Sequence, residues 1–457
     1  MRLLRLLSLL LLSAAIAWPV AAQADLRFNG SLSNQFRLRL YQSDMPDDMD
    51  WDMTMLLTNL DVIGRATNDD RNARLFFNAD LTHDPTGVLE DELEWRLRQA
   101  YAGYYAMYWN VEIGKRIFSW GMADEFNPTD LLNSEDMRWF ITRDKLDRKI
   151  GVYAGSATVS YGNFSLQGVI VPIFEPVKLP AEDSDWLPWQ LETFYAISNA
   201  FPDYVDAQEE LPEQNIGNAE YAARLRGTIG TVDIEAVVFD GYDQLPTYDI
   251  EIDTDLSAAV LDGEKPLHLI KYYQRYQAYG GSLAWTIGSF SLRGEGAYYT
   301  PRRYLYRIDD SLLKVDNIIS AYDLLLDYVD HEWGVEKPSW SAVGGVDWRE
   351  GTMIYVNMQY VHTQILDYED DLLYDENEGF VTLKLQTMWL DEELTVAANG
   401  AYNTWQGDWY IKPYVNYKLT QNLSAELGSQ IFSGDEETRF GDMDDNDFVY
   451  TLVNYSF

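Results

Sequence analysis

Along most of this chain apolar and polar residues alternate with a period of two, in segments broken by turn-forming residues. In the first such segment Phe28, Gly30, Leu32, Phe36, Leu38 and Leu40 fall on one face, and Ser31, Ser33, Gln35, Arg37 and Arg39 on the other. Near the end Leu394, Val396, Ala398, Gly400 and Tyr402 oppose Thr395, Ala397, Asn399, Ala401 and Asn403. Read this way, the sequence predicts about eighteen strands, with about sixteen as the alternative. They lie near 26–42, 51–66, 73–83, 95–107, 110–120, 149–161, 164–173, 218–229, 232–243, 271–287, 289–304, 339–349, 352–365, 379–390, 394–405, 408–419, 423–433 and 448–457. Tight turns at 68–72, 108–110, 162–163, 230–231, 288–289, 349–351, 391–393 and 420–422 alternate with mostly longer connections. A soluble β-sandwich can mimic the alternation of residues. The regular rhythm of short turns and long loops instead points to an all-β fold, a transmembrane antiparallel β-barrel with lipid-facing and lumen-facing positions.

The N-terminus changes the picture by fixing a compartment. Arg2 and Arg5, the apolar run 6–16 and Ala22-Gln23-Ala24 have the form of a signal peptide over residues 1–24, leaving 25–457 as the barrel. No later apolar run is long enough for a membrane helix. The formal net charge of −40 makes nucleic acid a poor partner. The absence of cysteine removes disulfides, thiolate metal sites and a lipid anchor on Cys. The 32 tyrosines and 15 tryptophans suit membrane-interface belts once a barrel is inferred. His83, His268, His331 and His362 are far apart and lack a matching nucleophile pattern, and no phosphate loop, dinucleotide fingerprint or zinc spacing occurs. The expectation is therefore no enzyme, no cofactor and no metal centre.

Acid concentrates in the loops, at 44–52, 89–94, 249–264, 367–378 and 434–447. Two readings stand: a solvated surface, or divalent-cation bridging to lipopolysaccharide and Ca²⁺ binding by Asp442, Asp444, Asp445 and Asp447, which lack the spacing of a calcium loop. Partly helical extracellular loops are expected at 309–330, where Leu312, Val315, Ile319, Tyr322 and Leu326 recur at helical spacing, and at 175–217 around Trp186-Leu187-Pro188-Trp189.

Strand parity places Arg37, Arg39, Arg65, Arg74, Arg96, Arg98, Arg224, Arg226, Arg293, Lys384, Lys412 and Lys418 inside, against fewer acids such as Asp61, Asp80, Glu220 and Glu295. Rings of Arg and Lys in a pore select anions or orient a carboxylate or phosphate. The structural alternative is that these charges point inward because a cation facing mid-bilayer lipid costs about 2–4 kcal/mol. After Trp120 the turn Asn127-Pro128-Thr129-Asp130 lets the chain leave its strand and lie across the lumen as an inward-folded loop. A constriction is expected there, with Arg96, Arg98, Arg116, Arg138 and Arg143 facing Asp124, Glu125 and Asp130. The alternative is an ordinary surface loop whose charges neutralise one another locally.

Arg98-Gln99-Ala100-Tyr101, Ile113-Gly114-Lys115-Arg116, Ser119-Trp120-Gly121 and Asn127-Pro128-Thr129-Asp130 resemble a pattern of poorly characterised porin-like outer-membrane β-barrel proteins of Gram-negative bacteria. The last segment is also similar to the aromatic insertion signal of bacterial outer-membrane proteins, with Phe457 and Tyr455 as its residues. The resemblance implies a channel or transporter of the outer membrane, with lipid, lipopolysaccharide, the barrel assembly machinery and a small-molecule solute as partners. It also implies a homo-oligomer, homotrimers being common among such proteins. The resulting reading is passive diffusion of small anionic or amphiphilic solutes. The alternatives are capture of hydrophobic compounds by loop helices, and a closed structural or surface-binding barrel.

Overall fold

The computed structural model describes residues 25–40, 53–86, 91–182, 184–191, 195, 202–252, 265–307, 333–351 and 353–457. Its strands in chain order are β1 (Asp25–Arg39), β2 (Met53–Thr67), β3 (Ala73–His83), β4 (Leu93–Tyr105), β5 (Trp109–Arg116), β6 (Val152–Tyr161) and β7 (Phe164–Val171). There follow β8 (Val205–Glu210), β9 (Glu220–Ile229), β10 (Val232–Tyr242), β11 (Thr247–Ile252), β12 (Leu267–Tyr272), β13 (Arg275–Ile287) and β14 (Phe290–Leu305). The last are β15 (Gly334–Glu350), β16 (Ile354–Ile365), β17 (Asn377–Trp389), β18 (Leu394–Asn403), β19 (Trp409–Lys418), β20 (Leu423–Ser433) and β21 (Phe448–Ser456).

Eighteen of these strands form one sheet, and each of the predicted segments supplies one of them. Neighbours in the sheet are neighbours in the chain, with β7 passing to β9 and β10 to β13. β21 pairs back onto β1, from Ser456 opposite Ser31 to Phe448 opposite Arg39. The sheet therefore closes into a barrel, the arrangement that satisfies strand backbone groups without water. Exposed Phe77, Val111, Leu166, Leu225, Val238, Leu283, Met358, Val415 and Val453 form its apolar outer face. Tyr104, Trp109, Tyr161, Phe164, Trp389, Tyr417 and Tyr455 ring the short-turn end, and Trp95, Tyr221, Tyr360, Tyr402 and Trp405 the long-loop end.

The structure departs from the sequence pattern in three places. β5 stops at Arg116 rather than near 120, where the Asn133 side chain takes over the released backbone edge. The Asn133 side chain accepts from the Phe118 N–H at 2.6 Å and donates to the carbonyls of Arg116 at 3.1 Å and Ile150 at 2.8 Å. The segment predicted at 271–287 divides, since β12 leaves the barrel to form a three-stranded sheet with β11 and, in parallel, β8. Alternation breaks at this junction, at Tyr272-Tyr273 and Gln274-Arg275, and the buried face moves from Leu267 and Leu269 to Tyr276 and Ala278. In β4 a register shift opposite Asn78 and Ala79 sets both Arg98 and Gln99 toward the lumen. The expected signal peptide at 1–24, the acidic loop at 44–52 and the amphipathic helix at 309–330 lie outside the described residues. Among the described residues helix is confined to short turns such as Met137–Trp139, Lys145–Arg148 and Gly441–Asn446, and to positions around Trp189.

Candidate functional site: a lumen divided by the β5–β6 loop

The loop between β5 and β6 runs into the barrel and rests first on one wall. Phe118, Trp120 and Leu132 pack with Val152, Ala154, Val169, Ala222, Val237 and Ala278, whose small or branched side chains face inward on β6, β7, β9, β10 and β13. Two wall carboxylates then take over the loop's backbone. Glu235 accepts from the Gly121 N–H at 2.9 Å. Glu295 accepts from the N–H groups of Met122 (2.7 Å), Ala123 (2.9 Å) and Thr129 (3.0 Å), and from the Thr129 hydroxyl (2.8 Å). At Gly121, whose φ is +86°, an added Cβ would come within 2.4 Å of Glu295 Oε1, so glycine is required both by conformation and by space. The Tyr299 hydroxyl donates to the Pro128 carbonyl at 2.9 Å. The Trp-Gly and Asn-Pro-Thr-Asp motifs thus form the joint that fastens the loop to the wall.

Beyond this joint the loop crosses the lumen. Phe126, Phe140 and Ile141 pack on the opposite wall among Phe380, Phe432, Phe440 and Phe448, while Trp139 is buried with Met55 and Leu57 of β2. Phe126 and Phe380 stack at 5.3 Å between centroids. The crossing segment separates two chambers with no lining residue in common. On the long-loop side, Met137 and Phe140 floor a cavity of about 310 Å³ lined by Leu179, Trp189, Leu245, Ile365 and Leu373, with Arg307, Glu378, Glu437 and Arg439 among its charged residues. On the short-turn side, Thr142, Arg143, Asp144 and Asp147 roof a cavity of about 710 Å³ that reaches Asp61, Asp80, Arg96, Arg98, Lys384, Lys412, Glu426 and Tyr450.

The charged residues singled out from sequence are distributed differently from one facing array. Arg96 lies 3.1 Å from Asp80 and 3.7 Å from Asp136, and Arg98 lies 2.9 Å from Asp147. Arg116 pairs with Glu112 on its own strand and stacks over Tyr101 and Phe118. Arg138 bridges Asp136 at 2.7 Å and Glu94 at 3.1 Å. None of the three loop acids meets Arg96, Arg98 or Arg116: Asp124 reaches Arg293 (3.0 Å), Glu125 reaches Arg148 (2.5 Å), and Asp130 pairs with buried Lys149. Arg293 also holds Asp347 at 2.5 Å, and Arg224 lies 3.5 Å from Glu235 and 5.1 Å from the Trp120 ring centroid. Arg39 pairs with Asp185 of the β7–β8 connection. Inward Glu112, Glu235 and Asp347 offset the excess of bases inferred from parity, although parity itself would have placed all three inside.

Some cations keep no carboxylate. Among the described residues Arg37, Arg143, Lys384 and Lys412 form no ion pair within 4.0 Å, and the last three line the lower chamber. Burial beside Arg96 pushes the Arg143 guanidinium down to about 10. Arg74 stacks over Tyr105, and Arg74 and Arg226 are solvated at the short-turn mouth. Tyr455 and Phe457 face outward, and the Phe457 backbone exchanges hydrogen bonds of 2.9 and 3.0 Å with Gly30 beside the closing seam. No group of metal-binding side chains occurs among the described residues.

This architecture is a closed antiparallel barrel of eighteen strands with one loop folded into its lumen, a fold shared with solved outer-membrane porins. It is similar to OccK2 (OpdF) of Pseudomonas aeruginosa, a structure in complex with glucuronate, at 10% identity over 95% of this chain and 98% of that chain, TM-score 0.51. It is likewise similar to a BenF-like porin from Pseudomonas fluorescens Pf-5, at 10% identity over 95% and 98% of the two chains, TM-score 0.51. At that identity the likeness is one of fold. No protein-family model and no curated protein matches the chain by sequence.

Proposed function

We propose that this protein is an outer-membrane channel for passive diffusion of small solutes, with a preference for anions, and that the β5–β6 loop sets its selectivity. The observation that carries this reading is the lower chamber, where Arg143, Lys384 and Lys412 line the lumen without ion pairs while most other lumen cations near the loop are neutralised. Unpaired cations in a water-filled constriction raise local anion concentration. In this reading residues 1–24 are a removed signal peptide, Phe457 and Tyr455 engage the assembly machinery, and the outer surface contacts lipid and lipopolysaccharide. Transport rather than catalysis is assigned: His362 faces outward among Trp340, Tyr360 and Trp405, His83 lies 3.1 Å from Glu92 and His268 3.6 Å from Asp206.

The test is reconstitution in a planar bilayer under a salt gradient. The proposal requires open channels with an anion-favouring reversal potential; cation preference contradicts it. A second reading is supported by the upper chamber, whose apolar floor and walls suit an amphiphilic solute. Saturable binding of such a compound, lost in Phe140→Asp but not in Arg143→Gln, distinguishes it.

A further inference from the structure

We propose that the flank of the lower chamber holds a site for a tetrahedral, doubly charged oxyanion, a phosphate or phosphate monoester, formed by Arg37, Arg143 and Lys412. This deepens the anion-channel reading and rests on it. Arg37 faces inward from β1 and is only 2% exposed, yet its Nε and Nη2 are buried without a hydrogen-bond partner. Its guanidinium lies 4.5 Å from the Phe448 ring centroid, which satisfies none of its donors. A buried, unpaired guanidinium is costly. Elsewhere the barrel avoids that cost, as where Lys149 meets Asp130 and Arg148 meets Glu125 and Glu135.

The other two cations each lie within electrostatic reach of Arg37. Arg37 is the register partner of Tyr450 on β21, and Lys412 of β19 lies 5.7 Å from the Tyr450 ring centroid. Between them Gly428 of β20 leaves room for that ring, since a Cβ there would fall 2.7 Å from it. Arg143 arrives from the crossing loop, its guanidinium 3.6 Å over Trp139, within electrostatic reach of Arg37. The neighbouring acids are largely engaged: Asp80 with Arg96, Asp136 with Arg138, Asp147 with Arg98, and Glu426 with the Tyr450 hydroxyl and Asn416. Asp144 and Glu125 are the other acids in electrostatic reach of Lys412; no ion pair joins either to it, and Glu125 is held by Arg148.

Three cations approaching from two separate strands and a loop exceed what one planar carboxylate offers. A phosphoryl group presents oxygens in several directions and carries about −1.5 to −2 charge near neutral pH. It supplies acceptors for the unused Arg37 donors and a counter-charge for all three side chains.

The experiment is calorimetric titration of inorganic phosphate, methyl phosphate, acetate and chloride into the full barrel refolded in detergent, alongside bilayer recording. One phosphate per barrel is expected, bound at least about tenfold more tightly than acetate, with Arg37→Gln and Lys412→Gln each weakening it by about tenfold or more. Lys412→Arg keeps the binding, and the heat-dependent gel shift of each variant confirms a folded barrel. Methyl phosphate binding as well as inorganic phosphate identifies a monoester site; its exclusion identifies a site closed around free phosphate. Acetate matching phosphate, no phosphate binding by the folded protein, or unchanged binding in both Gln variants overturns the proposal. Anion-selective conductance without phosphate binding removes the site and leaves the channel. Phosphate binding without conductance removes the channel and leaves the site.

Discussion

Thr129 binds Glu295 twice, through its backbone N–H at 3.0 Å and its hydroxyl at 2.8 Å, and so ties the crossing loop to strand β14. With the N–H groups of Met122 and Ala123 on the same carboxylate, Glu295 is the main polar fastening of the loop. Each hydrogen bond to a charged group contributes about 1.5–3 kcal/mol. Glu295→Ala should therefore free the loop while the barrel remains closed, because the interstrand ladder does not depend on that side chain. The expected result is larger, noisier single-channel conductance together with new proteolytic cleavage within 118–150. An unchanged conductance and cleavage pattern would remove the fastening role.

Gly121 provides an independent check on the same joint. Gly121→Ala places a Cβ against the Glu295 carboxylate at a φ of +86°, where a side chain is strained. It should reproduce the Glu295→Ala phenotype in milder form, measured by the same recordings.

Selectivity should follow unpaired rather than paired cations. Replacing both members of a neutral pair, as in Arg96→Gln with Asp80→Asn, removes no net charge and should leave the reversal potential nearly unchanged. Arg143→Gln with Lys412→Gln removes two uncompensated charges from the lower chamber and should move it toward cation preference. Equal effects of the two double variants would contradict this assignment.

The loop carboxyls separate by pH. Burial holds the Asp124 carboxyl above the ordinary carboxylate range, with Arg293 opposing the shift. For a raised acid, burying its charged form is unfavourable, so linkage favours the folded loop as pH falls through that pKa. Asp136 is the reverse case, since burial is outweighed by the hydrogen bond and charge of Arg138 and the carboxyl is held below its ordinary 3.8. Its stabilising contribution is present above 3.8 and is lost only as pH falls through its lower folded value. Mild acid should therefore neutralise Asp124 first, leave Arg293 paired with Asp347, and increase anion preference. That pH response should be absent in Asp124→Asn.

The Lys149–Asp130 pair is nearly fully buried on both sides. Removing one partner of a buried pair costs about 3–5 kcal/mol, whereas replacing both by neutral groups costs less. Lys149→Met should lower the temperature at which the folded gel band is lost, and adding Asp130→Asn should recover most of the loss.

The barrel was legible in sequence because strand periodicity is a local property. Once lipid covers one face, the inward or outward direction of Arg37, Leu394 or Tyr455 follows from position parity, and short turns such as Gly162-Asn163 mark where parity restarts. The approximate beginning of the crossing loop was legible too, since Trp120-Gly121 and Asn127-Pro128-Thr129-Asp130 break the alternation. Which charges meet was not. Asp124, Glu125 and Asp130 are near Arg116 in sequence, yet their partners are Arg293, Arg148 and Lys149. Parity puts a side chain in the lumen but leaves open its neighbours across a wide interior. Tertiary structure decided that Glu295 would hold the loop and that Arg37, Arg143 and Lys412 would remain without carboxylates, because barrel closure and the loop's path set those distances together.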